Sequence, residues 1–231
     1  MTTIGFFGDS FCAEVSNQHS ESNGYKTYIE KLISHYNADL VNLGVPGCSV
    51  WDTTLIQFKP FEKNPPDICI FSWTGGGGLF HRTQRDLHFP RIILNENSSD
   101  LIKAAKGYFE YFFDDEKASL EVSSMMMYFD ETILSKIYDK SKIIHLWSLG
   151  KIPYNMKITD DDPYNHYTEY HHEWKYGKEI RPALMSKSYE GVYKRSIIEV
   201  LKLDKRPNHI SGEESNNIVF EEIKKLIDAD Q

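Results

Sequence analysis

Ile4-Gly5-Phe6-Phe7-Gly8-Asp9-Ser10 carries a short apolar run straight into turn residues, the pattern of a buried strand that ends in a tight turn. Downstream of it, Tyr28, Leu32 and Tyr36 recur every fourth residue with Ile29 and Ile33 beside them, which predicts an amphipathic helix. Asp39-Leu40-Val41-Asn42-Leu43 then runs into Gly44-Val45-Pro46-Gly47, and Pro65-Pro66-Asp67 introduces Ile68-Cys69-Ile70-Phe71-Ser72-Trp73 ahead of Gly75, Gly76, Gly77 and Gly78. Two further strands ending in glycine-rich turns follow from these signals. A fourth strand is expected from Lys142 to Gly150, and a final helix from Ser211 to Asp228, where Ser211-x-x-Glu214 has capping-box spacing. Strands that alternate with helical stretches predict an α/β fold, a three-layer α/β/α sandwich with a mainly parallel sheet.

Between the third and fourth strands, residues 101–138 are helix-compatible. Tyr108, Phe109, Phe112, Phe113, Met125, Met126, Met127, Phe129, Ile133 and Ile137 offer wide apolar faces there, which core packing explains. From 152 to 195 the composition shifts to Tyr, His, Asp and Pro, read as a long surface excursion near the site. The chain has 231 residues, and at roughly 150 residues per domain it is expected to form one domain, with a helical insertion near 80–138 and that excursion.

Lys and Arg number 26 against 34 Asp and Glu, a net charge of −8, so the basic footprint of a nucleic-acid partner is lacking. A hydrophobic content of 40 % is enough to bury a core, while a mean hydropathy of −0.49 describes a well-solvated surface. Neither a signal peptide nor a membrane span is expected, since no basic start precedes an apolar run and no long uncharged apolar stretch occurs. Cys12, Cys48 and Cys69 cannot all pair and have no metal-ligand spacing; reduced thiols in a cytoplasmic-type compartment are the economical reading.

In parallel α/β sheets ligands sit beyond the C-terminal ends of the strands. Ser10 follows a buried strand through Gly8 and Asp9, so its hydroxyl is expected at a strand-to-helix turn, where a serine nucleophile belongs. Asp9 is expected to hydrogen-bond local backbone and hold that turn. Cys12 is close enough to be a second nucleophile, although a buried inert thiol is the commoner case. The glycine run 75–78 is no Walker-type phosphate cradle, because no Gly-Lys-Ser or Gly-Lys-Thr follows it. Asp160, Asp161, Asp162, His166, His171, His172 and Glu173 are metal-ligating types without the spacing that sets two imidazoles on one helical face. They read instead as a solvated rim, and neither a metal nor a cofactor is expected.

Taken in order, these features resemble the SGNH or GDSL hydrolases, serine esterases, lipases and acyl-modifying enzymes with a flavodoxin-like sandwich. The first family block appears as Gly8-Asp9-Ser10-Phe11 and the second as Val41-Asn42-Leu43-Gly44-Val45-Pro46-Gly47. The third departs from the pattern, with Gly76 where an asparagine is usual. The last departs too: His209 occupies the histidine position, but Arg206 stands three residues before it and Asp204 lies two positions early.

The resemblance implies acyl transfer in which Ser10 is the nucleophile and His209 the general base. The oxyanion would then be held by the backbone N–H groups of Ser10 and Gly47. The family's third donor is a side-chain amide that Gly76 cannot supply, and losing such a donor costs roughly 2.7 to 4 kcal/mol. A backbone N–H within 75–78, the Thr74 hydroxyl, or the side chains of His81 and Arg82 are the replacements in reach. Asp204, a more distant acid, or no acid at all is compatible with orienting His209. The implied substrate is an ester, a short acyl or O-acetyl group on a carbohydrate or small metabolite. A catalytically weak ligand-binding or structural protein of this fold, and an O-acyltransferase using the same serine, are the alternatives.

Overall fold

The structure is a computed structural model that describes residues 1–13, 24–46, 48–73, 100–147, 172–180 and 213–229. The described strands are β1 (Thr3–Gly8), β2 (Asp39–Asn42), β3 (Ile68–Trp73), β4 (Lys142–Trp147) and β5 (Lys178–Ile180). They form one sheet in the order β2-β1-β3-β4-β5, and every pairing is parallel. All six residues of β3 are buried, as are the last five of β1, which is what a parallel sheet covered on both faces requires of its central strands.

Alternation along the strands sorts the core into two layers. Ile4 and Phe6 of β1, Ile68 and Ile70 of β3, and Ile144 and Leu146 of β4 face α1 (Tyr28–Tyr36) and α5 (Glu213–Asp228). Tyr28, Ile29 and Leu32 of α1 are buried there, as are Val219, Ile223 and Ile227 of α5, one per turn. Thr27 and Glu30 close a capping box at the start of α1, and Asn37 ends it in the left-handed conformation at φ 46°. The α/β/α sandwich expected from the sequence is the observed architecture.

The opposite face of the sheet presents Phe7, Cys69, Phe71, Trp73, Ile143 and Trp147 to a different kind of layer. Two π-helices, Asp52–Phe58 and Phe129–Leu134, supply Phe58 and Phe129 to it. Between β3 and β4 lie α2 (Asp100–Tyr111), α3 (Asp115–Tyr128), the second π-helix and α4 (Ser135–Ile137). Phe71 sits at the centre of this layer, with ring centroids 5.0 Å from both Phe58 and Phe129 and 5.4 Å from Phe7. Each such pair contributes about 0.5–1.5 kcal/mol beyond its buried area.

Two expectations are corrected, and one stretch left without an assignment gains one. Lys178–Ile180, inside the stretch read as a surface excursion, is the fifth strand, paired with β4 as Leu146↔Ile180. Three residues are too short to show a strand period, so it was hidden among polar neighbours. Residues 52–61, with no structure assigned from their sequence, form the first π-helix and a 3-10 turn, Lys59–Phe61. Met127 and Phe112 are not core: they are 57 % and 73 % exposed, because one face of each helix is buried, through Met126 against the sheet and through Phe109 in a small cluster with Ala105.

Candidate active site

In a sheet ordered 2-1-3-4-5 the chain leaves β1 toward one edge and continues from β3 toward the other, so a crevice opens beyond the C-terminal ends of β1 and β3. Gly8 is the last residue of β1 and pairs with Ser72, which puts the Gly8-Asp9-Ser10 turn at that switch point. Gly8 has φ +137°, and a Cβ there would lie 2.2 Å from the Ser72 carbonyl oxygen. Only glycine satisfies both the dihedral and the space.

Asp9, 2 % exposed, turns its carboxylate inward. Its Oδ1 accepts from Ser72 Oγ at 2.8 Å and from the Phe11 N–H at 3.1 Å, while its carbonyl accepts from the Cys12 N–H at 3.2 Å. Asp9 thus holds the turn, as its position between Gly8 and Ser10 suggests. Phe11 is fixed in turn by the Tyr28 hydroxyl, which donates to its carbonyl at 2.9 Å. Ser10 stands between these anchored neighbours with 9 % of its surface accessible.

The segment after β2 lies directly behind this turn. Val45 N–H donates to the Gly8 carbonyl at 2.9 Å, and a Cβ on Gly44 would come within 2.7 Å of the Cys12 carbonyl. Asn42 Oδ1 accepts from Gly44 N–H at 2.9 Å, shaping the bend. The Gln57 side chain, from the first π-helix, reaches the same strand end: its Nε2 donates to the Gly8 carbonyl at 2.9 Å and its Oε1 accepts from the Gly8 N–H at 2.5 Å. Asn42 Nδ2 and Asp52 Oδ1 are buried without a hydrogen-bond partner among the described residues, a state few groups in a folded protein occupy.

The cysteines near the turn are poor nucleophiles. Burial and, next, the Asp9 carboxylate push the Cys12 thiol well above its ordinary value, and the same causes raise Cys48. Burial raises Cys69 to about 12. All three are free and buried.

Two described histidines lie on the far side of β3, and both are engaged in packing. His145 of β4 is fully buried, stacked on Trp174 with centroids 3.9 Å apart and rings 2° from parallel. Its Nδ1 accepts from Trp73 Nε1 at 2.9 Å, which leaves Nε2–H to donate to the Tyr176 carbonyl at 3.0 Å. Burial lowers its pKa to about 3, so it is neutral with both ring nitrogens used. His172 Nε2 lies 3.2 Å from Oδ2 of buried Asp130, whose two oxygens also accept from the N–H groups of Lys175 and Tyr176. The segment 172–180, expected in a surface excursion whose residues up to Trp174 read as a solvated rim, is therefore pinned to the second π-helix, with Trp174 stacked on His145.

Of the residues singled out in the sequence, Ser10 is in place at the switch point. Gly47, Thr74, Gly76, His81, Arg82, Asp204 and His209 lie outside the described residues. Among the described residues, no group of three or more His, Cys, Asp or Glu side chains is arranged to hold a metal ion, and no helix is long and apolar enough to cross a membrane. Sequence reasoning missed Gln57, Ser72 and Tyr28, the groups that fix the turn. Ser72 left a trace, the single polar residue in an apolar run; Gln57 left none.

No protein-family model matches the chain, and no curated protein matches its sequence. Among solved structures, it is similar to the psychrotrophic esterase EstA from Pseudoalteromonas sp., inhibited by monoethylphosphonate, at 10 % identity and a TM-score of 0.47, over 99 % of this chain and 98 % of that one. It is also similar to phospholipase A1 from Streptomyces albidoflavus NA297, at 11 % identity and a TM-score of 0.30, over 63 % of this chain and 58 % of that one. Likenesses this distant carry no argument about activity, so a reading of function rests on the chain's own residues.

Proposed function

We propose that the chain is a serine-dependent hydrolase acting on ester bonds, with Ser10 as nucleophile and His209 as general base. The supporting observation is the placement of Ser10 at the β1/β3 switch point, on a turn held by Asp9, Ser72 and Gln57. A nucleophile gains from such preorganisation because the reacting oxygen does not have to be ordered during the reaction.

Ser10 Oγ attacks the ester carbonyl carbon while His209 takes its proton. The tetrahedral oxyanion is held by the N–H groups of Ser10 and Gly47, with a third donor from Gly76 or its neighbours Thr74, His81 and Arg82. Collapse expels the alcohol, which takes the proton from His209, and leaves an acyl-serine. Water, deprotonated by His209, then attacks the acyl-serine and releases the carboxylic acid and the free serine. Asp204 orients the imidazole. The substrate is a short acyl or O-acetyl ester of a carbohydrate or small metabolite.

A fluorophosphonate probe tests this directly. Wild type is expected to be labelled on Ser10, and Ser10→Ala to lose labelling together with about 1,000-fold or more of its p-nitrophenyl acetate turnover. Absence of labelling in wild type from about pH 6 to about pH 9 favours a ligand-binding protein, consistent with Gly76 and Arg206 standing where Asn and Asp are usual. Acyl release that requires an added sugar acceptor favours an O-acyltransferase.

A further inference from the structure

We infer that Gln57 is a positioning residue for Ser10, acting through the backbone of Gly8; the inference rests on Ser10 being the nucleophile. Gln57 is 2 % exposed, and its amide meets both polar groups of one residue, accepting from Gly8 N–H and donating to Gly8 C=O. Few side chains can do this, since the pairing needs one donor and one acceptor side by side.

The position of this pair matters. Leu43 N–H donates to Phe6 O and Val45 N–H to Gly8 O, so the segment after β2 supplies donors along this edge of β1. The Gly8 N–H finds its acceptor in Gln57 instead, and the Gly8 carbonyl takes a second donor from the same amide. The amide fixes the plane of the peptide on each side of Gly8, at the one residue whose φ of +137° swings the chain from strand into turn. Ser10 follows two residues later.

The helix that carries Gln57 is built for a specific reach. Asp52–Phe58 is a π-helix, a rare form concentrated at functional sites, and its end is marked by a Lys59 N–H to Thr54 O bond across five residues. Ser49 and Asp52 cap its approach reciprocally: Asp52 Oδ2 accepts from Ser49 N at 3.0 Å and from Ser49 Oγ at 2.8 Å, and Ser49 Oγ accepts from Asp52 N at 3.2 Å. Thr54 Oγ1 donates back to the Val50 carbonyl at 2.8 Å. Phe58, the next residue, is locked between Phe7 and Phe71 at 5.0 Å from each. Gln57 is thus a rigidly mounted amide, and turn geometry set by it bears on where the Ser10 oxygen stands.

The test compares fluorophosphonate labelling rates and steady-state ester kinetics of Gln57→Leu, Gln57→Glu and, as a packing control on the opposite face, Ile223→Ala, all well below their melting temperatures. Gln57→Leu is expected to lower labelling rate and kcat by about 10- to 100-fold with KM within about twofold, the scale of a misplaced reacting atom. In Gln57→Glu a neutral carboxyl keeps one donor and one acceptor whereas a carboxylate has no donor, so its rate relative to wild type is expected to rise as pH falls from about 8 to about 6. Ile223→Ala is expected to lose stability and keep its rate per folded molecule. Wild-type rates in both Gln57 variants, a pH-independent Gln57→Glu ratio, or failure of both to fold overturns the inference while leaving Ser10 labelling intact. Labelling that survives Ser10→Ala overturns the nucleophile assignment and this inference with it.

Discussion

The turn after β1 and the ring stack around His145 both bury polar side chains toward the C-terminal ends of strands in one sheet, yet they bury them to opposite effect. In the turn, Asp9 accepts from Ser72 and from the Phe11 N–H while Gln57 pairs with the Gly8 backbone, so Ser10 is framed by neighbours that other groups anchor. In the stack, His145 is itself the framed group, its two nitrogens committed to Trp73 and Tyr176 and its faces covered by rings. A buried imidazole beside a catalytic-looking crevice is therefore no sign of chemistry here. The contrast is between a side chain whose neighbours are anchored around it, Ser10, and one that is itself the packed group, His145.

Perturbing the stack should separate stability from activity. Trp73→Ala removes a side chain that is 1 % exposed and strips His145 of its donor; it is expected to destabilise the protein by about 3–5 kcal/mol in urea unfolding while the folded fraction keeps its ester turnover. Gly8→Ala strikes the other region. With a Cβ 2.2 Å from the Ser72 carbonyl and φ at +137°, it is expected to cost about 3 kcal/mol and to abolish turnover even in the folded fraction. Equal activity losses in the two variants would erase the distinction drawn between the regions.

Acid sharpens it further. His145 has a folded-state pKa of about 3 against an ordinary 6.5, so as pH falls below 6.5 the unfolded chain takes up a proton that the native state refuses. Stability from this group is complete above that range and declines on acidification by about 1.4 kcal/mol per pH unit until pH nears the native pKa. His145→Gln, which keeps an acceptor for Trp73, is expected to flatten that part of the slope in unfolding measured from pH 7 to pH 4, by about one proton's linkage. The smallest effect belongs to Cys12. Its thiol is buried and held protonated by burial and by Asp9, so Cys12→Ala is expected to leave turnover within about twofold and to cost about 1 kcal/mol, the scale of a small core truncation. Loss of labelling in Cys12→Ala would instead place the thiol in the reaction.

How far these regions are legible in sequence differs for a physical reason. The central strands announce themselves because both of their faces are buried, which demands unbroken runs such as Ile68 to Trp73. The turn at Gly8-Asp9-Ser10 is legible because its backbone requires glycine and a short polar side chain in adjacent places. The Gln57 clamp is not: it is joined to Gly8 across 49 residues, and the π-helix that delivers it has no period distinct from an α-helix over seven residues. β5 escapes notice, and Trp174 reads as a rim aromatic, for a related reason, since their packing is imposed by β4, Trp73 and His145 from elsewhere in the chain. Local pattern reports local cause, and tertiary partners leave it unmarked.

The docking of α5 carries a consequence for biosynthesis. Asn216 Oδ1 receives the Tyr28 N–H at 2.8 Å, Lys142 Nζ donates to the Ile227 carbonyl at 2.5 Å, and Val219, Ile223 and Ile227 roof the same face as Ile4 and Phe6. While the ribosome is still translating, α1 is the one described helix that the nascent sheet has to lay over that oily face, because its partner α5 emerges after the five described strands. Such a polypeptide waits, with part of that face exposed to chaperones and to its own neighbours, until α5 arrives.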